Sequence, residues 1–212
     1  VNPSNYTATF TPSGAGATTI DVDLNTFTDG SGNNNSAATQ FAWTYDNVVP
    51  TMAITSTTAG VTTGSTTNDA TIALTFTSSE ATTDFVVGDI TVAGGALSSF
   101  AATSSTVYTA TFTPSSAGAT TIDVAGSKFT DAVGNNNSAA TQFAWTYDNV
   151  VPTMAITSTT AGVTTGSTTN DATIALTFTA NEATSNFAVG DISVTGGALS
   201  SFAATSSTVY TA

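Results

Sequence analysis

The stretch "GNNNSAATQFAWTYDNVVPTMAITSTTAGVTTGSTTNDATIALTFT" at residues 32–77 returns letter for letter at residues 134–179. Sliding the chain by the same 102 positions aligns "YTATFTPSGAGATTIDV" (6–22) with "YTATFTPSSAGATTIDV" (108–124), without a gap. An internal period of this length marks repeated domain-sized units, each in contact with its neighbours along the chain. The predicted boundaries follow from the period. Residues 1–45 form the C-terminal part of one repeat, 46–147 a complete repeat, and 148–212 the N-terminal part of a third. A chain that starts and stops in mid-repeat is expected to sample a longer tandem array.

Within 46–147 the apolar residues alternate with period two, the signal of half-buried strands. Met52 and Ile54 open the first strand, and "DATIALTFT" (69–77) sets Ile72, Leu74 and Phe76 on one face with threonines on the other. Ile90 and Val92 mark a third strand and "ALSSFAA" (96–102) a fourth. "VYTATFT" (107–113), "TTIDV" (120–124) and "TQFAWTY" (141–147) supply the fifth, sixth and seventh. "AGG", "PSSAG" and "VGNNN" read as turns, and helical periodicity is absent. About seven short strands per 102-residue repeat predict an all-β fold of tandem immunoglobulin-like β-sandwiches. Trp145 reads as a core anchor.

The polar composition narrows the function. The 212 residues carry fourteen acids against one base, Lys128, a net charge of −13. Such a chain has nothing with which to neutralise phosphates, so nucleic acid is excluded as a partner. Basic patches for anionic membranes are equally lacking, and no apolar run approaches a membrane span. Histidine and cysteine are absent, which removes the usual general bases, most activated nucleophiles, disulfides and thiolate zinc sites. An enzyme is not expected.

The acids are not scattered evenly over the predicted sandwich. If alternate loops share a pole, the linker before the first strand, the loop after the second and the loop before the seventh come together. They carry Asp46, Glu80, and Asp131 with Asn135. Asp89, at the start of the third strand, is expected near the same pole. Carboxylates this close repel one another unless a cation or water intervenes. Ca²⁺ is the expected ion, because it accepts six to eight oxygens in flexible geometry, whereas Mg²⁺ demands a tighter octahedron. The competing expectation is solvated turn formers, since Asp and Asn favour turns for backbone reasons alone. Asp69, Asp84 and Asp123 are assigned to the surface.

The order of "ALTFTSSE" (73–80), "GDITVAGG" (88–95), "FTDAVGNNN" (129–137) and "FAWTYD" (143–148), at a 102-residue period, resembles the bacterial Ig-like domains. These occur in tandem arrays of giant extracellular adhesins and biofilm surface proteins. The resemblance implies a cell-surface extender, with neighbouring repeats of the same polypeptide as partners and structural Ca²⁺ at the junctions. By position, the ligands would be Asp46, Glu80 and Asp131 in the complete repeat, with Asp148 and Glu182 beginning the next site. Asp84 becomes Asn186 in the third copy, and Asp23 becomes Ala125 in the second, so neither suits an obligatory ligand. The alternative is a repeat segment of an assembled extracellular filament, sheath or surface layer, in which identical chains are the partners. There, residues 1–45 of one chain would complete residues 148–212 of another by strand addition. "NYT" (Asn5) and the two "NNS" triplets (Asn34, Asn136) are formal glycosylation sequons.

Overall fold

Strands and two short 3₁₀ turns make up the regular structure of the computed structural model, which describes residues 4–212. By its internal contacts the chain divides into two units, Val1–Asn149 and Val150–Ala212.

The first unit opens with β1 (Gly16–Ile20) and β2 (Phe41–Tyr45), an antiparallel pair with Ile20 opposite Phe41. The complete repeat follows. It contains β3 (Met52–Ser56), β4 (Thr66–Thr67), β5 (Ile72–Ser78), β6 (Ile90–Ala93), β7 (Gly95–Ala102), β8 (Val107–Pro114), β9 (Gly118–Val124) and β10 (Phe143–Tyr147). These form two four-stranded sheets, β3-β5-β8-β7 and β4-β10-β9-β6. The seven expected strands are all present. The addition is β4, a two-residue strand that runs parallel to β10.

The period-two pattern becomes the core directly. Across the first sheet Ile72 faces Phe112, Leu74 faces Ala110 and Phe76 faces Tyr108, so a large residue often meets a smaller one. Across the second, Ile122 lies opposite Phe143 and Val124 opposite Ile90. These residues join one buried cluster with Met52, Ile54, Phe85, Phe129 and Trp145. Each fully buried apolar side chain of this size contributes about 1.5–3 kcal/mol. Trp145 is the expected core anchor, its ring edge-on to Phe112 at 4.9 Å. The buried Thr120 opposite it donates its Oγ1 hydroxyl to the Trp145 carbonyl at 2.8 Å.

The second unit builds one sheet, in the order β11-β12-β14-β13, from β11 (Met154–Ser158), β12 (Leu176–Ala180), β13 (Ala203–Ala204) and β14 (Val209–Thr211). The strand expected from the third-strand pattern is missing at 192–195, and so is the equivalent of β4 at 168–169. In the complete repeat those strands pair with β9 and β10, and residues 150–212 hold no equivalent of either. Sequence pattern alone does not make a strand without a partner for its ladder.

Candidate metal centre

Asp131 owes its position to its own loop. The loop between β9 and β10 folds around this one carboxylate. Asp131 Oδ1 accepts the backbone N–H groups of Val133 at 2.9 Å, Gly134 at 2.7 Å and Asn135 at 2.9 Å. Its Oδ2 accepts the Asn135 side-chain amide at 2.8 Å. Burial alone would push this carboxyl up. The Asn135 side chain and the three backbone donors outweigh it, and the carboxyl is held below its ordinary range. Asp131 therefore stands as a fixed anion, 7% exposed, at the pole of the sandwich.

Glu80 arrives from the β5–β6 loop. That loop is tied down at several points. Ser79 donates its N–H to the Thr51 carbonyl, Thr82 donates its N–H to Ser105, and the buried Tyr108 hydroxyl donates to the Thr82 carbonyl at 3.0 Å. Asp46 comes from the segment between β2 and β3, where its Oδ1 accepts the Val48 N–H at 2.9 Å. The buried Pro50 and its neighbour Thr51 fix the path into β3. The Pro50 carbonyl accepts the Ser138 N–H at 2.9 Å, and Thr51 N–H donates to Ser79 Oγ at 2.9 Å.

Three carboxylates from three separate segments thus converge. Asp46, Glu80 and Asp131 each offer an oxygen, and these oxygens lie within 4.8 Å of one another. Glu80 registers the crowding: burial, then the charges of Asp46 and Asp131, then a hydrogen bond with Asp131 raise its carboxyl above the usual range. Oxygens bound to one Ca²⁺ at 2.3–2.6 Å can be at most about 5 Å apart, so the donor set fits that ion.

Asn135 joins the cluster as a brace. It turns its NH₂ toward the carboxylate and reaches the Asp46 carbonyl at 3.4 Å with the same nitrogen. Asp89 does not join. Its carboxylate accepts the Val86 N–H at 2.9 Å and closes the 3₁₀ turn Val87–Asp89 ahead of β6. It was expected near the site from its position at the start of the third strand; there a local backbone donor engages its side chain.

The family model of the bacterial Ig-like domain matches residues 46–147 and 148–212. The chain belongs to the bacterial Ig-like domain family. No curated protein and no solved structure matches it.

The two remaining candidates of this Ig-like chain fall in different units. Asp148 donates its backbone N–H to the Thr67 carbonyl at 2.9 Å, extending the β4–β10 pairing at the end of the first unit. In the second, Glu182 is half-buried, and its Oε1 is shielded from solvent without a hydrogen-bond partner.

Two residues of the Ig-like repeat carry more than their sequence context suggested. Asn137 is buried and uses both ends of its amide. Oδ1 accepts from Lys128 and Phe129 N–H at 2.7 and 3.0 Å, and Nδ2 donates to the Ala125 and Ser138 carbonyls at 2.9 and 2.7 Å. Asp84 is exposed, as assigned, but it bridges loops. It accepts the Thr82 hydroxyl at 2.7 Å and both the N–H and hydroxyl of Thr130, at 3.0 Å each. Those donors, Thr82 first, bring its carboxyl below the ordinary range against the effect of burial. Only the three-asparagine tract hinted at the first; nothing in sequence pairs Asp84 with a threonine 46 positions away.

Proposed function

We propose that this chain is a stretch of a cell-surface extender. In this reading the Ig-like repeats hold another part of an extracellular protein at a distance, and Ca²⁺ at each joint limits bending. The convergence of Asp46, Glu80 and Asp131 carries the reading. Asp46 lies on the linker, while Glu80 and Asp131 lie on loops of the sandwich. One ion held by all three would tie the linker to the domain it enters. With a single lysine in the chain, no side-chain cation could balance every such cluster.

Calcium supplies positive charge and flexible oxygen coordination when bound. The protein's own contribution is preorganisation. Four hydrogen bonds fix Asp131 before any ion arrives, and a bound cation would offset the repulsion that Glu80 feels from Asp46 and Asp131. Small-angle X-ray scattering of the 212-residue chain, in Ca²⁺ and then in excess chelator, tests the joint. A maximum dimension that shrinks or broadens on chelation supports it, and an unchanged profile in both buffers overturns it.

A further inference from the structure

β4 is the strand that the period-two pattern does not announce, and it joins the two sheets of the complete repeat. β3 lies in one sheet and β4 in the other, so the chain crosses between them over residues 57–65. The crossing is pinned. Val61 is buried in the core cluster, and Thr57 donates its N–H to the Ala73 carbonyl at 3.0 Å. Gly64, with a φ of 87°, turns the chain onto β10. Three backbone hydrogen bonds hold it there. Gly64 N–H donates to the Ala144 carbonyl at 2.8 Å, Thr146 N–H to the Ser65 carbonyl at 2.9 Å, and Asp148 N–H to the Thr67 carbonyl at 2.9 Å. Just beyond, Asp69 accepts the Thr67 hydroxyl and returns its own N–H to Thr67 Oγ1 at 3.1 Å.

The direction of β4 decides what this contact can resist. The chain enters the repeat beside the loop that leads into β10: the Pro50 carbonyl accepts the Ser138 N–H, and the Asn135 amide reaches the Asp46 carbonyl. It leaves at the far end of β10, where Asp148 meets Thr67. Entry and exit are therefore at opposite poles, and tension along the chain pulls β3 and β10 lengthwise in opposite senses. Of the two entry strands, β4 is the one that shares a sheet with β10. The two run parallel, so β4 is loaded at its first residue and β10 at its last. The hydrogen bonds between them lie across the pull and must break together. An antiparallel strand in the same place would be loaded at the same end as β10, and its bonds would open one at a time. A strand that only covered the edge of β10 could run in either sense.

We propose that the β4–β10 contact is a shear clamp, and that the repeat bears tension as well as spanning distance. That the chain is under tension rests on the extender reading; the clamp itself rests on strand direction and needs no cation. β3 is loaded first, through its five register pairs with β5. Once β3 has left its sheet, β4 is what keeps the entry segment on the exit strand. Resistance of this kind is kinetic, set by the barrier to unfolding under load rather than by equilibrium stability. The letters of the clamp, "GSTTND" at 64–69, recur at 166–171, as do those of β10 at 41–45 and 143–147. Every complete repeat of a tandem array would then carry its own clamp.

Single-molecule stretching of the 212-residue chain in chelator, where the cation joint plays no part, tests the clamp. Held by its two ends, the complete repeat should open in one high-force event that releases at most about 350 Å. Held instead through Asn68→Cys, an exposed position just past β4, and the C-terminus, the same contact is unzipped and the opening force should fall several-fold. Equal forces in the two geometries would overturn the proposal. The chain has no cysteine of its own, so a second variant can lock the clamp. Thr66 and Thr146 are exposed register partners, and neighbouring strands lie about 4.8 Å apart, within reach of a disulfide. With Thr66→Cys and Thr146→Cys oxidised, the high-force event should vanish. Only a low-force release of residues 46–66 should remain, roughly 70 Å. A high-force event that survives the lock would place the resistance between β3 and β5 and overturn the proposal. The cation joint is read separately by scattering, so either reading can fail without the other.

Discussion

Asn135 donates its side-chain amide to Asp131 Oδ2 at 2.8 Å, and Asn33 does the same for Asp29 at 2.9 Å. The second pair sits in a half-repeat that lacks the opposing sheet, so the loop closes without the sandwich around it. Backbone donors complete both loops, from Ser31 and Asn33 in one and from Val133, Gly134 and Asn135 in the other. The same donors, Asn33 first, hold Asp29 below the ordinary carboxyl range. The anion at the pole is therefore encoded locally, and only its meeting with Asp46 and Glu80 depends on the fold.

Asn137 should matter far more than its neighbour in the same tract. Replacing it by Ala leaves the Lys128 and Phe129 amides and the Ala125 and Ser138 carbonyls without their partner. Unsatisfied buried groups put the cost at about 3 kcal/mol. Asn136 is exposed, and Asn136→Ala should stay within about 0.5 kcal/mol. Urea unfolding of the two variants, followed by tryptophan fluorescence, compares them directly.

Glu80→Gln should have opposite effects with and without calcium. In chelator the ionised Glu80 sits in a partly desolvated site beside Asp46 and Asp131, so the amide relieves repulsion and the melting temperature rises at neutral pH. In Ca²⁺ the same change removes a charged ligand and weakens binding by roughly tenfold. Calorimetric titration and thermal melts in the two buffers read both signs. A fall in stability in chelator would contradict the crowded-carboxylate account.

The acid limb of stability carries two opposing contributions. Glu80 has a raised carboxyl, so its unfavourable contribution is absent below its ordinary value of 4.5 and sets in as pH rises through the folded value. Asp84 and Asp131 are held below 3.8. Their stabilisation is present above 3.8 and is lost as pH falls through their folded values. Asp84→Asn should cost about 1 kcal/mol at neutral pH, a small figure because water screens an exposed carboxylate. It should also flatten the loss of stability below 3.8. Denaturation midpoints measured across the acid range in chelator would reveal the flattening.

Legibility in the sequence followed the range of the interaction. Residues such as Ile72, Leu74 and Phe76 announce their strand by period two, because the sheet itself has that period. The convergence of Asp46, Glu80 and Asp131 was legible because alternating strands sort their loops between two poles. β4 was not, since two threonines in a parallel bridge carry no pattern. Asp89 lies outside the three-carboxylate group, and the backbone amide of Val86, three residues away, engages its carboxylate, a local contact that strand order does not announce. Phe10 and Ile174 have the same letters as buried residues yet lie exposed. A side chain's burial depends on what packs against it, and identical segments differ here only in that.

Glycine offers the sharpest contrast between equivalent positions. At Gly95 an added Cβ would lie 2.3 Å from the Thr113 carbonyl oxygen and 2.5 Å from the Phe112 ring. β7 and β8 must then separate, and Gly95→Ala should cost the complete repeat about 1–3 kcal/mol. At Gly197, its equivalent, nothing lies within 4 Å, so Gly197→Ala leaves the isolated chain unharmed. Urea unfolding of Gly95→Ala and of Gly197→Ala beside the unmodified chain reads the difference, and equal midpoints for the two variants would contradict the close approach of β7 and β8 at Gly95.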